Sequence, residues 1–288
     1  SVFEINIDRT KTGEYDVVKY AFDNNPTIGF YGDTIREGGI SGLMYRDGSF
    51  RFIGDRGPNA DAINSPLSGG QTTLVFPFPE YAPKVWQVRP ENGALTVEDF
   101  DFVKRPDGTG VSGLPLPVGQ GNTGEVAWSD TLASIVPNDP WGLDSEGITQ
   151  DNEGNFWICD EYGVSIWKLD QNFKVLNRYT PFPNELEDLP LDSLLGKRRA
   201  NRGLEGITYT PNGKIFAVIQ SPIDNPNTAT GNASRVHRFV ELDPTTGAMR
   251  TFVYLHEPDL GQIRSRDWKL GDLIAINNEE FLTVEHAE

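Results

Sequence analysis

Short apolar segments separated by polar turns recur along the chain, and the recurring unit is a two-stranded hairpin. Four segments align as ISGLMYRDGSFRFIGDRG from Ile40, SEGITQDNEGNFWICDEYG from Ser145, LEGITYTPNGKIFAVIQS from Leu204 and GDLIAINNEEFLTVEHAE from Gly271. Their turns, RDG, DNEG, TPNG and NNEE, contain residue types that adopt positive φ in hairpins. The second strand of each hairpin is mostly a continuous apolar run, which is typical of a strand buried on both faces.

More strands follow most of these hairpins, so the full unit is a four-stranded blade. Residues 146–182 contain four strands and predict one complete blade. The pattern predicts an all-β fold, a single β-propeller domain over residues 1–288. A β-sandwich does not predict four similar hairpins, and a β-helix would need much shorter repeats. Residues 185–199 fit either a short helix or an irregular loop.

The spacing between repeats predicts long inserts and one weak blade. Glu146 and Glu205 are 59 residues apart, and Glu205 and Asp272 are 67 apart. Ser41 and Glu146 are 105 apart, nearly two units, which predicts a weaker blade within residues 119–136. The inserts are polar and rich in Pro and Gly, and loops of such length in a compact domain are usually functional or disordered. They cover residues 58–79, 106–124, 181–202 and 222–234.

The last repeat stops within its second strand. Either the N-terminal strands FEINID and YDVVKYAF complete that blade, or the sequence is a C-terminally truncated piece of a longer protein. A propeller that does not close exposes strand edges. We expect truncation, with six blades in the intact parent and about five or fewer complete here.

Charge and cysteine content narrow the classes of partner. The net charge is −17, from 42 acidic and 25 basic residues, which disfavours nucleic acid and favours a cation partner. No run approaches the roughly 18 apolar residues that a membrane-spanning helix needs. The single cysteine, Cys159, cannot form an intrachain disulfide and is compatible with the cytoplasm or the periplasm.

Acidic residues recur at two positions of the repeat. The first strand of a blade lines the central channel, and its leading position holds Ser41, Glu146, Glu205 and Asp272. The second strand ends at Asp55 and Arg56, at Asp160 and Glu161, at Gln220, and at Glu285 with His286. Carboxylates that converge from several blades need a counter-charge, and hard oxygen ligands favour Ca²⁺, or alternatively Mg²⁺. The other interpretation is that these carboxylates cap strand ends by accepting hydrogen bonds from backbone N–H groups.

These positions predict a site at the channel mouth. The expected metal ligands are Glu146, Glu205, Asp272 and Glu285. Asp160 or Glu161 is the expected general base. Arg56, Arg202 and Arg266 are expected to bind a small anionic ester, unless each pairs with its nearest carboxylate.

The repeats resemble the phytase-like family labelled "esterase-like activity of phytase". The resemblance rests on GGISGLMYRDGSFRFIGDRGPN, SEGITQDNEGNFWICDEYGVSIWKLD, NRGLEGITYTPNGKIFAVIQSP and RDWKLGDLIAINNEEFLTVEHAE. It implies a propeller, usually in an exported bacterial protein, so the expected location is periplasmic or secreted. It also implies hydrolysis of phosphate or carboxylic esters. A wider similarity to calcium-dependent propeller lactonases implies ligands at the starts of inner strands.

Two functions follow as expectations. The first is a metal-dependent esterase or phosphatase with its site at the channel mouth. The second is a non-catalytic propeller that binds a ligand or a partner protein through its long loops, because propellers host both kinds of function.

Overall fold

The computed structural model describes residues 2–5, 17–22, 25–62, 68–129, 134–258 and 263–287. Its strands are β1 (Val2–Ile5), β2 (Val17–Tyr20), β3 (Thr27–Tyr31), β4 (Asp33–Arg36), β5 (Ile40–Arg46), β6 (Ser49–Gly54), β7 (Ala60–Asp61), β8 (Thr72–Phe76), β9 (Lys84–Glu91), β10 (Ala94–Phe102), β11 (Glu125–Ser129), β12 (Ser145–Gln150), β13 (Phe156–Asp160), β14 (Ser165–Leu169), β15 (Val175–Thr180), β16 (Asp188–Pro190), β17 (Leu204–Tyr209), β18 (Ile215–Ile219), β19 (Val236–Leu242), β20 (Met249–Leu255), β21 (Trp268–Ala275) and β22 (Phe281–Ala287). The helices are α1 (Thr228–Ala233) and two 3-10 turns, Ser193–Lys197 and Ser265–Asp267.

Four of the sheets follow the predicted repeat. Blade 1 has the order β10-β9-β6-β5, blade 2 β12-β13-β14-β15-β16, blade 3 β17-β18-β19-β20, and blade 4 consists of β21 and β22. Pairing within the blades is antiparallel, except that β16 joins β15 in parallel. The prediction of one blade within residues 146–182 is confirmed. Residues 185–199, whose sequence fits either a short helix or an irregular loop, contain β16 and a 3-10 turn.

Successive blades contact through their inner strands, and glycine makes this contact possible. A Cβ added to Gly42 would lie 2.6 Å from the Cα of Gly147 in the next blade. One added to Gly147 would lie 3.0 Å from the backbone nitrogen of Ile207, and one added to Gly206 would lie 2.6 Å from that of Leu273. Because β5, β12, β17 and β21 meet in this order, the four blades follow one another in the manner of a propeller.

The blades are held together by apolar side chains that alternate along each strand. On β13, Phe156 and Ile158 pack toward blade 1, in a core with Ile53. Trp157 and Cys159 pack toward blade 3, in a core with Ile207. Both faces of β13 are therefore covered, which accounts for its uninterrupted apolar sequence.

The predicted weak blade within residues 119–136 is not a blade. Strand β11 pairs in parallel with β8, which pairs with β7, so part of this segment joins the insert of residues 58–79 in a separate three-stranded sheet. The inner strands of blades 1 and 2 contact each other directly at Gly42 and Gly147, which leaves no place for a blade between them. The spacing of 105 residues thus reflects insert length.

The described N-terminal strands do not complete blade 4. The Ala21 nitrogen donates to the Gly93 carbonyl at 2.9 Å, and the Leu95 nitrogen donates to the Ala21 carbonyl at 2.8 Å. Strand β2 therefore runs on to the outer edge of blade 1, beside β10. Residues 6–16, which include part of the two predicted N-terminal strands, lie outside the described residues. Truncation of a six-bladed parent stays a prediction. In the described part of the chain, no helix is long and apolar enough to cross a membrane.

The glycine contacts predict a stability effect. We expect Gly206→Ala to lower the free energy of unfolding by about 3 kcal/mol, because its Cβ would press on the backbone of the next inner strand. That corresponds to a fall in Tm of roughly 6 °C or more. The matched control is Gly38→Ala, where an added Cβ meets nothing within 4 Å. Equal melting temperatures for Gly206→Ala and Gly38→Ala in a thermal scan would contradict the proposed packing.

Candidate functional site

A β-bulge places each acidic residue of the first predicted position at the channel. In blade 2, Ser145 pairs with Asp160 and Gly147 with Cys159, so Glu146 is left between them without a partner. The same register shift leaves Ser41 unpaired in blade 1 and Glu205 in blade 3. In blade 4 the shift falls between Leu270 and Leu273 and leaves Gly271 and Asp272 unpaired. A bulge re-aims the side chain of the extra residue, so the repeat delivers its carboxylates toward the axis.

Three carboxylates approach closely enough to share a cation. Asp144, Glu146 and Glu161 each offer an oxygen, and these oxygens lie within 4.8 Å of one another. Asp144 precedes β12, Glu146 lies on its bulge, and Glu161 follows β13. We call these three residues the carboxylate triad. Their hard oxygen donors fit Ca²⁺ or Mg²⁺ in number and chemistry.

Burial gives the triad unusual electrostatics. Burial, with other carboxylates nearby, raises the pKa of Asp144 to about 7 and that of Glu161 to about 9. The pKa of Glu146 is raised well above its ordinary value by burial and by the charges of Asp144 and Glu205. Without a cation, the triad therefore retains protons at a pH where ordinary carboxyl groups are ionised.

Two further carboxylates adjoin the triad from blades 3 and 4. Burial raises the pKa of Glu205, against the opposing effects of the Gln220 amide, Lys269 and Arg202. Burial raises the pKa of Asp272 to about 6, and Glu205 adds to that shift. The predicted ligands Glu205 and Asp272 thus lie at the mouth, although they are outside the triad.

The side chain of Gln220 connects the triad to blade 3. Its Nε2 donates to Glu161 Oε1 at 3.2 Å and to Glu205 Oε2 at 2.7 Å. Gln220 is 6% exposed, so both bonds are shielded from solvent.

Asp160, one of the two predicted general bases, has another role. Its Oδ1 accepts from the backbone nitrogens of Asp144 and Tyr162, both at 3.1 Å. Its Oδ2 accepts from the Gly163 nitrogen at 2.8 Å and from Ser165 Oγ at 2.7 Å. A fully buried carboxylate with four donors holds the turn after β13 and positions Asp144. Both oxygens of Asp160 are therefore occupied by donors of the protein itself, which disfavours Asp160 as the general base.

Arg56 binds the protein's own anions. Its Nη1 donates to the Tyr162 hydroxyl at 2.6 Å and lies 3.7 Å from Asp144 Oδ2 and 3.5 Å from Glu125 Oε1. Burial opposes the charge of Arg56, but Asp144, Tyr162 and Glu125 together raise its pKa. The alternative, pairing with the nearest carboxylate, therefore describes Arg56 better than substrate binding does.

Arg202 and Arg266 lie in different surroundings. Arg202 Nη1 donates to Ser221 Oγ at 3.1 Å, and within the described ranges no carboxylate oxygen lies within 4.0 Å of its guanidinium. Arg266 Nε lies 3.3 Å from Asp267 Oδ1, and the side chain of Arg266 is 46% exposed. Of the three arginines predicted to bind the ester, Arg202 is the one that lies near Glu205 without a close carboxylate partner in the described structure.

Glu285 lies away from the triad. Its carboxylate accepts a hydrogen bond from the hydroxyl of Tyr254 on β20 and another from the Glu257 nitrogen at 3.3 Å. Glu285 pairs opposite Leu270, just before the register shift of β21, and its side chain reaches Tyr254 in the outer strand of blade 3. Glu285 is not one of the three residues of the triad, and its assignment as a metal ligand stays a prediction.

Sequence analysis missed Asp144. The available signal is the order Leu-Asp-Ser-Glu, which puts Asp144 one residue before β12 and two before the bulge. Asp144 and Glu146 nevertheless bring carboxylate oxygens within 4.8 Å of each other. Alignment of the repeats does not single out Asp144, because the equivalent positions in blades 1 and 3 are Gly39 and Gly203.

The fold defines a class of protein, a β-propeller, and its blade 2 carries the carboxylate triad. The family model described as "Phytase-like: Esterase-like activity of phytase" matches residues 35–287. The chain belongs to this family, and the predicted resemblance is confirmed. It is therefore a propeller of a family named for hydrolytic activity.

Comparison with individual proteins gives more distant similarities. An "Uncharacterized secreted protein" of Arthroderma benhamiae is 27% identical, with 81% of this chain and 54% of the relative covered. The chain thus spans about half the length of that relative. Among solved structures, a Lactobacillus plantarum protein is 9% identical, with a TM-score of 0.42. The alignment covers 99% of this chain and 71% of the Lactobacillus plantarum chain. The GH43 protein BlXynB of Bacillus licheniformis is 11% identical, with a TM-score of 0.41. The alignment covers 94% of this chain and 41% of BlXynB.

Proposed function

We propose that this protein is a metal-dependent hydrolase of phosphate or carboxylic esters, with its site at the channel mouth. The observation that supports this most directly is the carboxylate triad, whose oxygens lie within 4.8 Å of one another in buried surroundings. Ca²⁺ is the proposed ion, because it accepts many carboxylate ligands in flexible geometry, whereas Mg²⁺ demands near-ideal octahedral geometry. The triad and the adjoining Glu205 and Asp272 supply such a ligand-rich surrounding.

The proposed mechanism divides the work among residues of this chain. Asp144, Glu146 and Glu161 would hold a divalent cation. When bound, such an ion would supply a Lewis acid for the ester and for water near neutral pH. Asp272, whose pKa is raised to about 6 by burial, is the proposed acceptor of the proton from the attacking water, because a base works best with a pKa near the working pH.

Arg202 is the proposed binding group for the anionic part of the substrate. Its only polar side-chain contact in the described structure is with Ser221 Oγ, so its other donors are available to a phosphate or carboxylate. Arg56 instead neutralises Asp144, which keeps one member of the triad from repelling the others. Secretion is also part of the proposal, supported by the name of the Arthroderma benhamiae relative.

Hydrolysis of p-nitrophenyl phosphate and p-nitrophenyl acetate tests the proposal. We expect EDTA to abolish hydrolysis of at least one of these esters and Ca²⁺ to restore it, because the attacking water is activated only with the ion bound. Mg²⁺ in place of Ca²⁺ tests the choice of metal. If hydrolysis is absent, or is unaffected by EDTA, the alternative of a non-catalytic propeller that binds through its long inserts is the better one.

A further inference from the structure

The amide of Gln220 occupies a position where the neighbouring blades carry carboxylates. In blades 1 to 3, the residue that follows the second strand donates its backbone N–H to the carbonyl of the residue that precedes the first strand. Asp55 donates to Gly39 at 2.9 Å, Glu161 to Asp144 at 2.9 Å, and Gln220 to Gly203 at 2.8 Å. Asp55, Glu161 and Gln220 are therefore equivalent, and Gln220 brings two N–H donors where a third negative charge would otherwise stand.

The two donors of Gln220 act on carboxylates from different blades. Nε2 donates to Glu161 of blade 2 and to Glu205 of blade 3, at 3.2 Å and 2.7 Å. Each carboxylate uses only one oxygen for this bond, so its other oxygen remains for a cation. One amide thus fixes the separation of two like charges that would otherwise repel each other.

The backbone of Gln220 is itself anchored. Its carbonyl accepts from the Leu270 nitrogen of blade 4 at 2.9 Å, and its side chain is buried. Gln220 therefore connects blades 2, 3 and 4 at the mouth. A rigid amide in such a place loses little conformational entropy when a ligand binds beside it.

We propose that Gln220 is a positioning residue that holds Glu161 and Glu205 in the arrangement that binds the cation. The proposal rests on the proposed function, since it specifies how the same site is preorganised. Gln220 makes no contact with the ion or the ester in this account. It acts by orienting one member of the triad and one carboxylate beside it, as outer hydrogen-bonding partners orient metal ligands in other sites.

Calcium titration of wild type and Gln220→Met tests the inference. Met keeps the length of Gln but removes both donors. We expect about 10-fold weaker Ca²⁺ binding, within the range of roughly 10–100-fold observed when partners of metal ligands are removed. For p-nitrophenyl phosphate, kcat should fall more than KM, because Arg202, which is proposed to bind the anion, is unchanged.

The matched control is Gln87→Met. Gln87 also donates an amide N–H to a carboxylate, Glu98, at 3.0 Å, but it lies on the outer strands of blade 1. Gln87→Met should bind Ca²⁺ as wild type does. A second variant, Gln220→Asn, keeps an amide one methylene shorter, so it reaches at most one carboxylate and should also weaken binding if Gln220→Met does not fold.

Two results would overturn the inference, and they differ in scope. Equal Ca²⁺ affinity and kcat for wild type and the folded Gln220 variants would remove the role of Gln220 while leaving the metal site intact. Absence of Ca²⁺ binding to wild type itself would overturn the proposed function and the role of Gln220 together.

Discussion

The metal-free protein is expected to lose stability as the pH rises from 6.5 to 8.5. Burial raises the pKa of Glu161 to about 9, whereas in the unfolded chain an ordinary Glu has a pKa of about 4.3. Between these values the native state holds a proton that the unfolded state has released, so stability falls with increasing pH. One extra proton in the native state over these two pH units lowers the free energy of unfolding by about 3 kcal/mol. For a chain of this size, Tm should fall by roughly 5 °C or more.

The interval from pH 6.5 to 8.5 avoids the titration of His237, which would oppose the effect of Glu161. Burial lowers the pKa of His237 to about 4, so this histidine makes stability rise with pH up to the ordinary histidine value of about 6.5. Thermal melting in EDTA should therefore start at pH 6.5. The matched variant is Glu161→Gln, which is neutral at every pH and should show a smaller fall in Tm across the interval. A wild-type Tm that is constant or rises between pH 6.5 and 8.5 in EDTA would contradict the raised pKa of Glu161.

The largest expected effect on activity is that of Glu146→Gln. This substitution keeps the size of the side chain and removes one carboxylate from the triad. We expect kcat/KM for the hydrolysed ester to fall by about 100-fold or more, because changes to outer partners of metal ligands alone cost roughly 10–100-fold. The fall should be smaller at very high Ca²⁺ concentration, where mass action partly refills the weakened site.

Glu285→Gln is the control for this experiment. Glu285 stands in the same sequence repeat, but its carboxylate accepts from Tyr254 and from the Glu257 backbone, away from the triad. Its activity and Ca²⁺ dependence should equal those of wild type. Comparable losses for Glu146→Gln and Glu285→Gln would show that the triad is not the site of hydrolysis.

The blades could be predicted from the sequence because the residues that specify each hairpin lie within that hairpin. Each hairpin carries its own turn residues, and burial of both faces of strands such as β13 requires continuous apolar sequence. The separate sheet of β7, β8 and β11 could not be predicted in this way. It pairs two segments some fifty residues apart, and parallel pairing of β8 with β11 leaves no turn signature between them.

The acidic positions of the repeat were predictable from the sequence, but the set of residues whose oxygens meet was not. The repeat aligned Glu146, Glu205 and Asp272, and each of them is left unpaired at a register shift of its inner strand. Which oxygens meet depends on side-chain direction after each bulge, and this is not visible in the spacing of residues. Asp144 contributes an oxygen to the triad although the equivalent positions of blades 1 and 3 are glycines, whereas Glu285 contacts Tyr254 of blade 3.

The central claim is that the carboxylate triad binds a divalent cation. Calorimetric titration of Ca²⁺ into the EDTA-treated, dialysed protein at pH 7.5 tests it most directly, with Glu146→Gln titrated in parallel. The account predicts saturable binding to wild type, with release of protons because the triad holds protons when the ion is absent. It predicts at least about 10-fold weaker binding to Glu146→Gln. Absence of a saturable heat with wild type, or equal affinity for both proteins, would contradict the account.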